Sequence, residues 1–108
     1  MAANVSAFVY ILRCSDGSFY VGSARGSLEH RIAEHQAGTI EGYTKGRRPV
    51  VLAFVQEFDR ITDAITAERQ IKGWSRAKKE ALIAGDLEKL RDLARNYTQY
   101  PRPSTSSG

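Results

Sequence analysis

The stretch from Ala7 to Gly22 constrains the fold most tightly. Phe8, Val9, Tyr10, Ile11 and Leu12 form an unbroken run of β-branched and other apolar side chains. Cys14-Ser15-Asp16-Gly17 has turn composition, and Ser18 to Gly22 returns to strand composition. Strand, turn and strand in sequence read as a β-hairpin. A two-residue Asp16-Gly17 loop would pair Ser15 with Ser18 and send Tyr10 and Tyr20 to opposite faces. A three-residue loop, Ser15-Asp16-Gly17 with Gly17 left-handed, pairs Cys14 with Ser18 and Leu12 with Tyr20. Side chains alternate along a strand, so Tyr10, Leu12, Tyr20 and Gly22 then share one face. This second register is the expected one.

Ser23 to Gly26 reads as a loop, after which Ser27 caps a helix from Leu28 to about Ala37 that Gly38 closes. Thr39 to Pro49 carries Gly42, Gly46, Lys45, Arg47 and Arg48 and reads as an exposed basic loop. Val50 to Phe58 is a third strand. Thr62 is expected to cap a helix from Asp63 to about Trp74, and Ser75 another that ends at Gly85. Asp86 opens a last helix with Leu87, Leu90 and Leu93 or Ala94 turned inward. This order implies a small α+β domain, a three-stranded antiparallel or mixed sheet flanked by helices. With 108 residues there is chain for one core, expected over residues 1–96, with 97–108 a flexible tail ending in Pro, Ser, Thr and Gly.

Several functional classes are disfavoured. Cys14 is the only cysteine, which excludes an internal disulfide and a multi-cysteine zinc site. His30 and His35 are the only histidines. No signal peptide is expected, no apolar run approaches the roughly 20 residues of a membrane span, and the expected compartment is reducing and cytoplasmic. Nucleotide-binding glycine loops and the hydrolase nucleophile elbow are missing from the sequence. Lys plus Arg number 16 against 12 Asp plus Glu, a net charge of +4 that is compatible with a polyanionic partner.

Chemistry enters through polar residues on inward stripes. On the first predicted helix Leu28 and Ile32 face the core, and Arg31 and His35 fall beside them. Read singly, Arg31 snorkels to the rim and His35 packs as a hydrogen-bonded histidine. On the following helix Glu68 lies among Ala64, Ala67, Ile71 and Trp74. A carboxylate there requires a cation, either a neighbour such as Lys72 or a metal ion. Gly22 marks a close approach of backbone or ligand to the face that carries the two tyrosines. Five cations and no acid lie between Arg69 and Lys79, and Lys45, Arg47 and Arg48 form a second cluster. Taken together, two phenols, an Arg-x-x-x-His helix, one inward acid and basic rims are what a phosphodiester hydrolase uses.

These residues resemble the GIY-YIG nuclease superfamily, in its small stand-alone bacterial branch. The half-motifs are Phe8-Val9-Tyr10 and Tyr20-Val21-Gly22, followed by Arg31-x-x-x-His35, by Tyr43-Thr44-Lys45-Gly46-Arg47-Arg48-Pro49-Val50, by Glu68 in Ala67-Glu68-Arg69-Gln70-Ile71-Lys72-Gly73-Trp74, and by Arg76 to Ile83. The likeness spans about residues 7–85. It implies Tyr10, Tyr20, Arg31, His35 and Glu68 as catalytic residues, and Glu68 as the residue that holds one Mg²⁺ or Mn²⁺. It also implies Gly22 as the small residue that admits a phosphate, and Asn96 as a candidate supporting residue. Phe8 stands where the family name has Gly, and Ser23 where some relatives carry Lys. Lys45, Arg47, Arg48, Lys72 and Arg76 are expected to contact substrate. The implied activity is structure-selective DNA cleavage in repair or recombination, by a monomer or weak homodimer, with RNA the other candidate substrate. The alternative is a nucleic-acid-binding or repair-accessory module with little catalysis. Tyr10 is the expected general base, by a lowered pKa or by relay to His35; the sequence leaves both routes open.

Overall fold

A computed structural model describes residues 7–99, with side chains through residue 94. By contacts the chain divides into two compact units, Met1–Gly73 and Trp74–Gly108.

In the first unit, strands β1 (Ala7–Arg13), β2 (Phe19–Arg25) and β3 (Val51–Phe58) form an antiparallel sheet in the order β2-β1-β3. The central strand is the apolar run singled out above, and all its residues but Arg13 are buried. A strand covered on both faces needs this continuous hydrophobicity. The three-residue loop is present. Cys14 N donates to Ser18 O at 2.8 Å, Gly17 has φ +85°, and Leu12 opposes Tyr20 while Tyr10 opposes Gly22.

Strand β2 does not end at Gly22 as the sequence suggests. Ser23, Ala24 and Arg25 continue it opposite Val9, Phe8 and Ala7. Buried backbone groups at the start of β1 need partners, and these residues supply them. On the other side of β1, Ala53 is an extra residue between the Ile11–Phe54 and Leu12–Leu52 pairs, a bulge in β3.

Helix α1 (Leu28–Ala37) is bounded as expected, with Ser27 Oγ accepting from His30 N at 3.1 Å and Gly38 left-handed at φ +78°. Leu28 and Ile32 pack on the core of Phe8, Tyr10, Leu12, Cys14, Ala24 and Val50. Helix α2 (Ile61–Lys72) packs against all three strands. It begins and ends two residues earlier than expected, and its N-cap is Arg60, which makes no side-chain capping bond. Only Asp59 and Arg60 separate it from β3, so the helix starts before Thr62 can cap it. No helix among the described residues is long and apolar enough to cross a membrane.

The second unit holds α3 (Arg76–Ala84), capped by Ser75 and closed by left-handed Gly85, and α4 (Leu87–Gln99). Asp86 Oδ1 accepts from Lys89 N at 3.0 Å, as a capping aspartate should. Two expectations fail here. Leu87 is 63% exposed rather than inward, because it is the first residue of its helix and its side chain projects past the helix end. Trp74 lies beyond the Gly73 cap instead of continuing the Ile71 stripe; it is half-buried, with Lys78 Nζ 4.4 Å above its ring. Helix α4 takes in residues 97–99, and the rest of the expected tail lies outside the described residues.

Candidate active site

The hairpin register places Tyr10 and Tyr20 on one face, where α1 presents His35. Tyr10 and His35 are buried, and Tyr10 Oη lies 2.8 Å from His35 Nε2. The second imidazole nitrogen, Nδ1, lies 2.8 Å from Thr44 Oγ1, itself buried. The loop expected to be exposed therefore turns one residue inward and closes a hydrogen-bonded line from phenol to imidazole to hydroxyl. The Tyr20 ring packs 6.2 Å from that of Tyr10 and 5.2 Å from that of His35, centroid to centroid.

Gly22 is required for this packing. A Cβ there would sit 2.7 Å from Tyr10 Oη and 2.9 Å from Tyr20 Cε2. The close approach inferred from the sequence is made by the two tyrosines themselves.

Electrostatics separates the roles of the two buried groups. Burial raises the Tyr10 pKa well above the usual phenol range, and Tyr20 and Glu68 add to the shift while Arg31 opposes it. Tyr10 is thus a protonated phenol at neutral pH, within hydrogen-bond distance of the His35 imidazole. His35 is displaced the other way, downward, by burial and then by the Arg31 charge. It is a neutral imidazole with one nitrogen to donate and one to accept.

This shift carries a stability consequence. Below pH 6.5 an unfolded histidine takes up a proton that His35 refuses until a lower pH, so acidification favours the unfolded state. We expect Tm to fall from pH 6.5 down to the depressed value of His35, and to fall less steeply in His35→Gln. Identical slopes in the two proteins would mean that His35 titrates as an ordinary histidine.

Arg31 is partly exposed, and its Nη1 lies 3.7 Å from Glu34 Oε1. Its charge acts on both Tyr10 and His35. Glu68, 18% exposed, accepts a hydrogen bond from Ser23 Oγ on one carboxylate oxygen and pairs with Lys72 Nζ at 2.7 Å on the other. Its cation in this structure is therefore the lysine one turn away, which in turn holds the Lys72 pKa above its usual value. Among the described residues no three of His, Cys, Asp or Glu form a metal cluster. The donor set still suits a hard ion of the Mg²⁺ type, which takes one or two carboxylates and keeps its waters. Glu68 is such a carboxylate, oriented by Ser23, and Lys72 is 52% exposed on a flexible stem that can yield.

The other cations expected to contact substrate are engaged. Lys45 pairs with Glu41 at 2.8 Å, and Arg48 donates to the carbonyls of Lys45 and Gln36, which leave its charge uncompensated. Arg47 pairs with Asp16 at 3.1 Å. Arg76, in the second unit, pairs with Glu80 at 2.9 Å. The side chain of Asn96 lies outside those described. Sequence reasoning missed Thr44 and Ser23 as parts of the site. Ser23 carried a signal, since it follows Gly22 on the same strand; Thr44 carried none within a loop of polar and glycine residues.

Comparison with known proteins places this geometry in context. The model of the GIY-YIG catalytic domain matches residues 6–81. A UPF0213 protein of Natronomonas pharaonis is 44% identical over 79 residues, 73% of this chain and 92% of that protein. One from Staphylococcus saprophyticus is 44% identical over 77 residues, 71% of this chain and 93% of its own length. A protein of E. faecalis solved by NMR shares 28% identity at a TM-score of 0.50, covering 94% of this chain and 97% of its own.

Proposed function

The chain belongs to the GIY-YIG catalytic domain family, and on that premise we propose that it is a divalent-metal-dependent endonuclease that hydrolyses DNA phosphodiester bonds. The proposal extends to selectivity for branched over linear structure, a role in repair or recombination, and action in the cytoplasm as a monomer or weak homodimer. The observation that carries it is the hydrogen-bonded line from the Tyr10 phenol through His35 to Thr44, with the Tyr20 ring packed against it and the charges of Arg31 and Glu68 both acting on Tyr10.

Each residue then has a task. Arg31 holds a non-bridging phosphate oxygen and balances the charge that builds there. Tyr20, the less buried phenol, meets the attacking water. As water attacks phosphorus, its proton passes to the phenols while the Tyr10 proton moves to His35 Nε2, the P–O bond opposite the attacking water breaks, and the leaving oxygen takes a proton from solvent. Thr44 Oγ1 accepts from Nδ1–H and so keeps Nε2 free to accept. The relay removes the need for a free phenolate, which burial disfavours at Tyr10. Glu68 would hold one Mg²⁺ or Mn²⁺, which when bound supplies positive charge beside the phosphate. Lys45, Arg48, Lys72 and Arg76 contribute to the field that attracts the backbone.

The test is to incubate the full chain with labelled linear duplex and branched DNA, with Mg²⁺ or Mn²⁺ and with chelator. Cleavage is expected only with metal and faster on the branched substrate. In Arg31→Ala the rate should fall on the order of 10²–10³-fold, and a rate within a few-fold of the parent would refute the phosphate contact. A second reading, a nucleic-acid-binding module without catalysis, is favoured by one observation, the Lys72 ion pair that already balances Glu68. Salt-sensitive binding with no cleavage of DNA or RNA under any metal condition would select it.

A further inference from the structure

We propose that Tyr43 and Arg47 form a clamp that positions the Tyr20 phenol, and that Arg47 is spent on this task instead of on a substrate phosphate. The proposal rests on the reading of Tyr20 as part of a nuclease site. Tyr20 stands on β2, an edge strand, and is only half-buried. Tyr10 and His35 contact its ring from within the core, but contacts from that direction alone do not fix a ring at a surface. The Tyr43 ring supplies another contact. It lies nearly parallel to Tyr20, at 22° and 6.3 Å between centroids, an offset stack. Tyr43 is 40% exposed and sits in a loop, so it needs an anchor of its own.

Arg47 is that anchor. Its guanidinium carbon lies 3.8 Å from the Tyr43 ring centroid, and its Nη1 donates to the Tyr43 carbonyl at 2.9 Å. Its Nε donates to Asp16 Oδ2 at 3.1 Å, and its carbonyl accepts from Ser15 N at 2.9 Å. Asp16 is held in turn by Ser18 N at 3.0 Å. The hydrogen bonds from Ser18, and then Arg47, hold the Asp16 carboxyl below its usual range, so it is ionised at neutral pH. The β1–β2 turn therefore grips Arg47, Arg47 grips Tyr43, and Tyr43 stacks on Tyr20. The chain of contacts begins and ends on the same hairpin, which sets the ring relative to its own strand. An arginine paired with an aspartate and laid over a ring releases few counterions when a polyanion binds, whereas a phosphate contact releases about one.

Three variants of the full chain test this: Arg47→Ala, Tyr43→Ala and Tyr43→Phe. The first measurement needs no substrate. With ring-labelled tyrosine, the Tyr20 resonances (assigned through Tyr20→Phe) should shift in Arg47→Ala and Tyr43→Ala and stay in place in Tyr43→Phe, whose ring still stacks. The second uses a fluorescein-labelled four-way DNA junction. Arg47→Ala should lower kcat about tenfold while leaving KM within about twofold and the slope of log affinity against log salt unchanged. Unmoved Tyr20 resonances would overturn the clamp, as would a salt slope reduced by about one in Arg47→Ala. If the parent chain cleaves nothing, the nuclease reading fails, yet the tyrosine resonances still decide whether the clamp exists.

Discussion

Replacing Glu68 with alanine is expected to reduce DNA cleavage on the order of 10³-fold while leaving the protein folded. The two halves of this expectation have separate physical grounds. Activity should collapse because Glu68 is the carboxylate that lies beside the phenols, where it acts on the buried Tyr10. On the proposed metal-dependent reading, a divalent ion beside the phosphate would lose its carboxylate ligand. Folding should survive because the Glu68–Lys72 pair has a half-exposed ammonium and is worth at most about 1 kcal/mol after solvent screening. The hydroxyl of Ser23 loses its acceptor as well, but β2 stands at the sheet edge, where water can replace it. Cleavage rate and circular dichroism, measured on one preparation, separate the effects. Undiminished cleavage would reject Glu68 as the metal ligand. A Glu68→Gln variant sharpens the result, because it keeps an oxygen for Ser23 and removes the charge.

The second large effect is expected at Gly22, a residue with no functional group. A methyl group there would lie 2.7 Å from Tyr10 Oη, 2.8 Å from Tyr10 Cζ and 2.9 Å from Tyr20 Cε2. These atoms belong to rigid phenol groups with no flexible end to swing away, so both tyrosines must move. Tyr10 is buried in the central strand and hydrogen-bonded to His35, and its displacement breaks the relay. Overpacking of this kind costs about 1–3 kcal/mol. Each kcal/mol lowers Tm by about 4–8 °C in a domain of this size. Gly22→Ala should therefore melt earlier and also cleave at least about 10²-fold more slowly, since misplacement by an ångström is costly at a reacting centre. A variant with unchanged Tm and rate would show that the two rings do not occupy the positions described.

The Gly22 effect traces back to one feature, the three-residue loop at Ser15-Asp16-Gly17. It sets the register that puts Tyr10 opposite Gly22 and Leu12 opposite Tyr20. Local chemistry announces it, because Gly17 takes the left-handed conformation that such a loop needs. The helix caps at Ser27 and Ser75 and the closures at Gly38 and Gly85 were legible for the same reason. Where a boundary depended on more distant groups, it was misplaced. The extension of β2 to Arg25 is demanded by β1, and the early start of α2 by the end of β3. Leu87 has apolar character and helical spacing, yet its place at the helix end leaves it in water.

The candidate site divides along the same line. Residue type and periodicity drew attention to Tyr10, Tyr20, Arg31, His35 and Glu68, because polar groups on inward stripes are costly and therefore conspicuous, and the family resemblance implied their catalytic roles. Their partners were a different matter. Lys72 on Glu68, one helical turn away, was legible, but Thr44 behind His35, Ser23 on Glu68, and Asp16 and Tyr43 on Arg47 are choices among many groups of similar chemistry. Such choices turn on distances of a few ångströms between segments up to 45 residues apart. Periodicity is a property of neighbours along the chain and can be read from their order. Pairing across the fold, and the pKa shifts that burial imposes on Tyr10 and His35, exist only once the chain has closed on itself and excluded water.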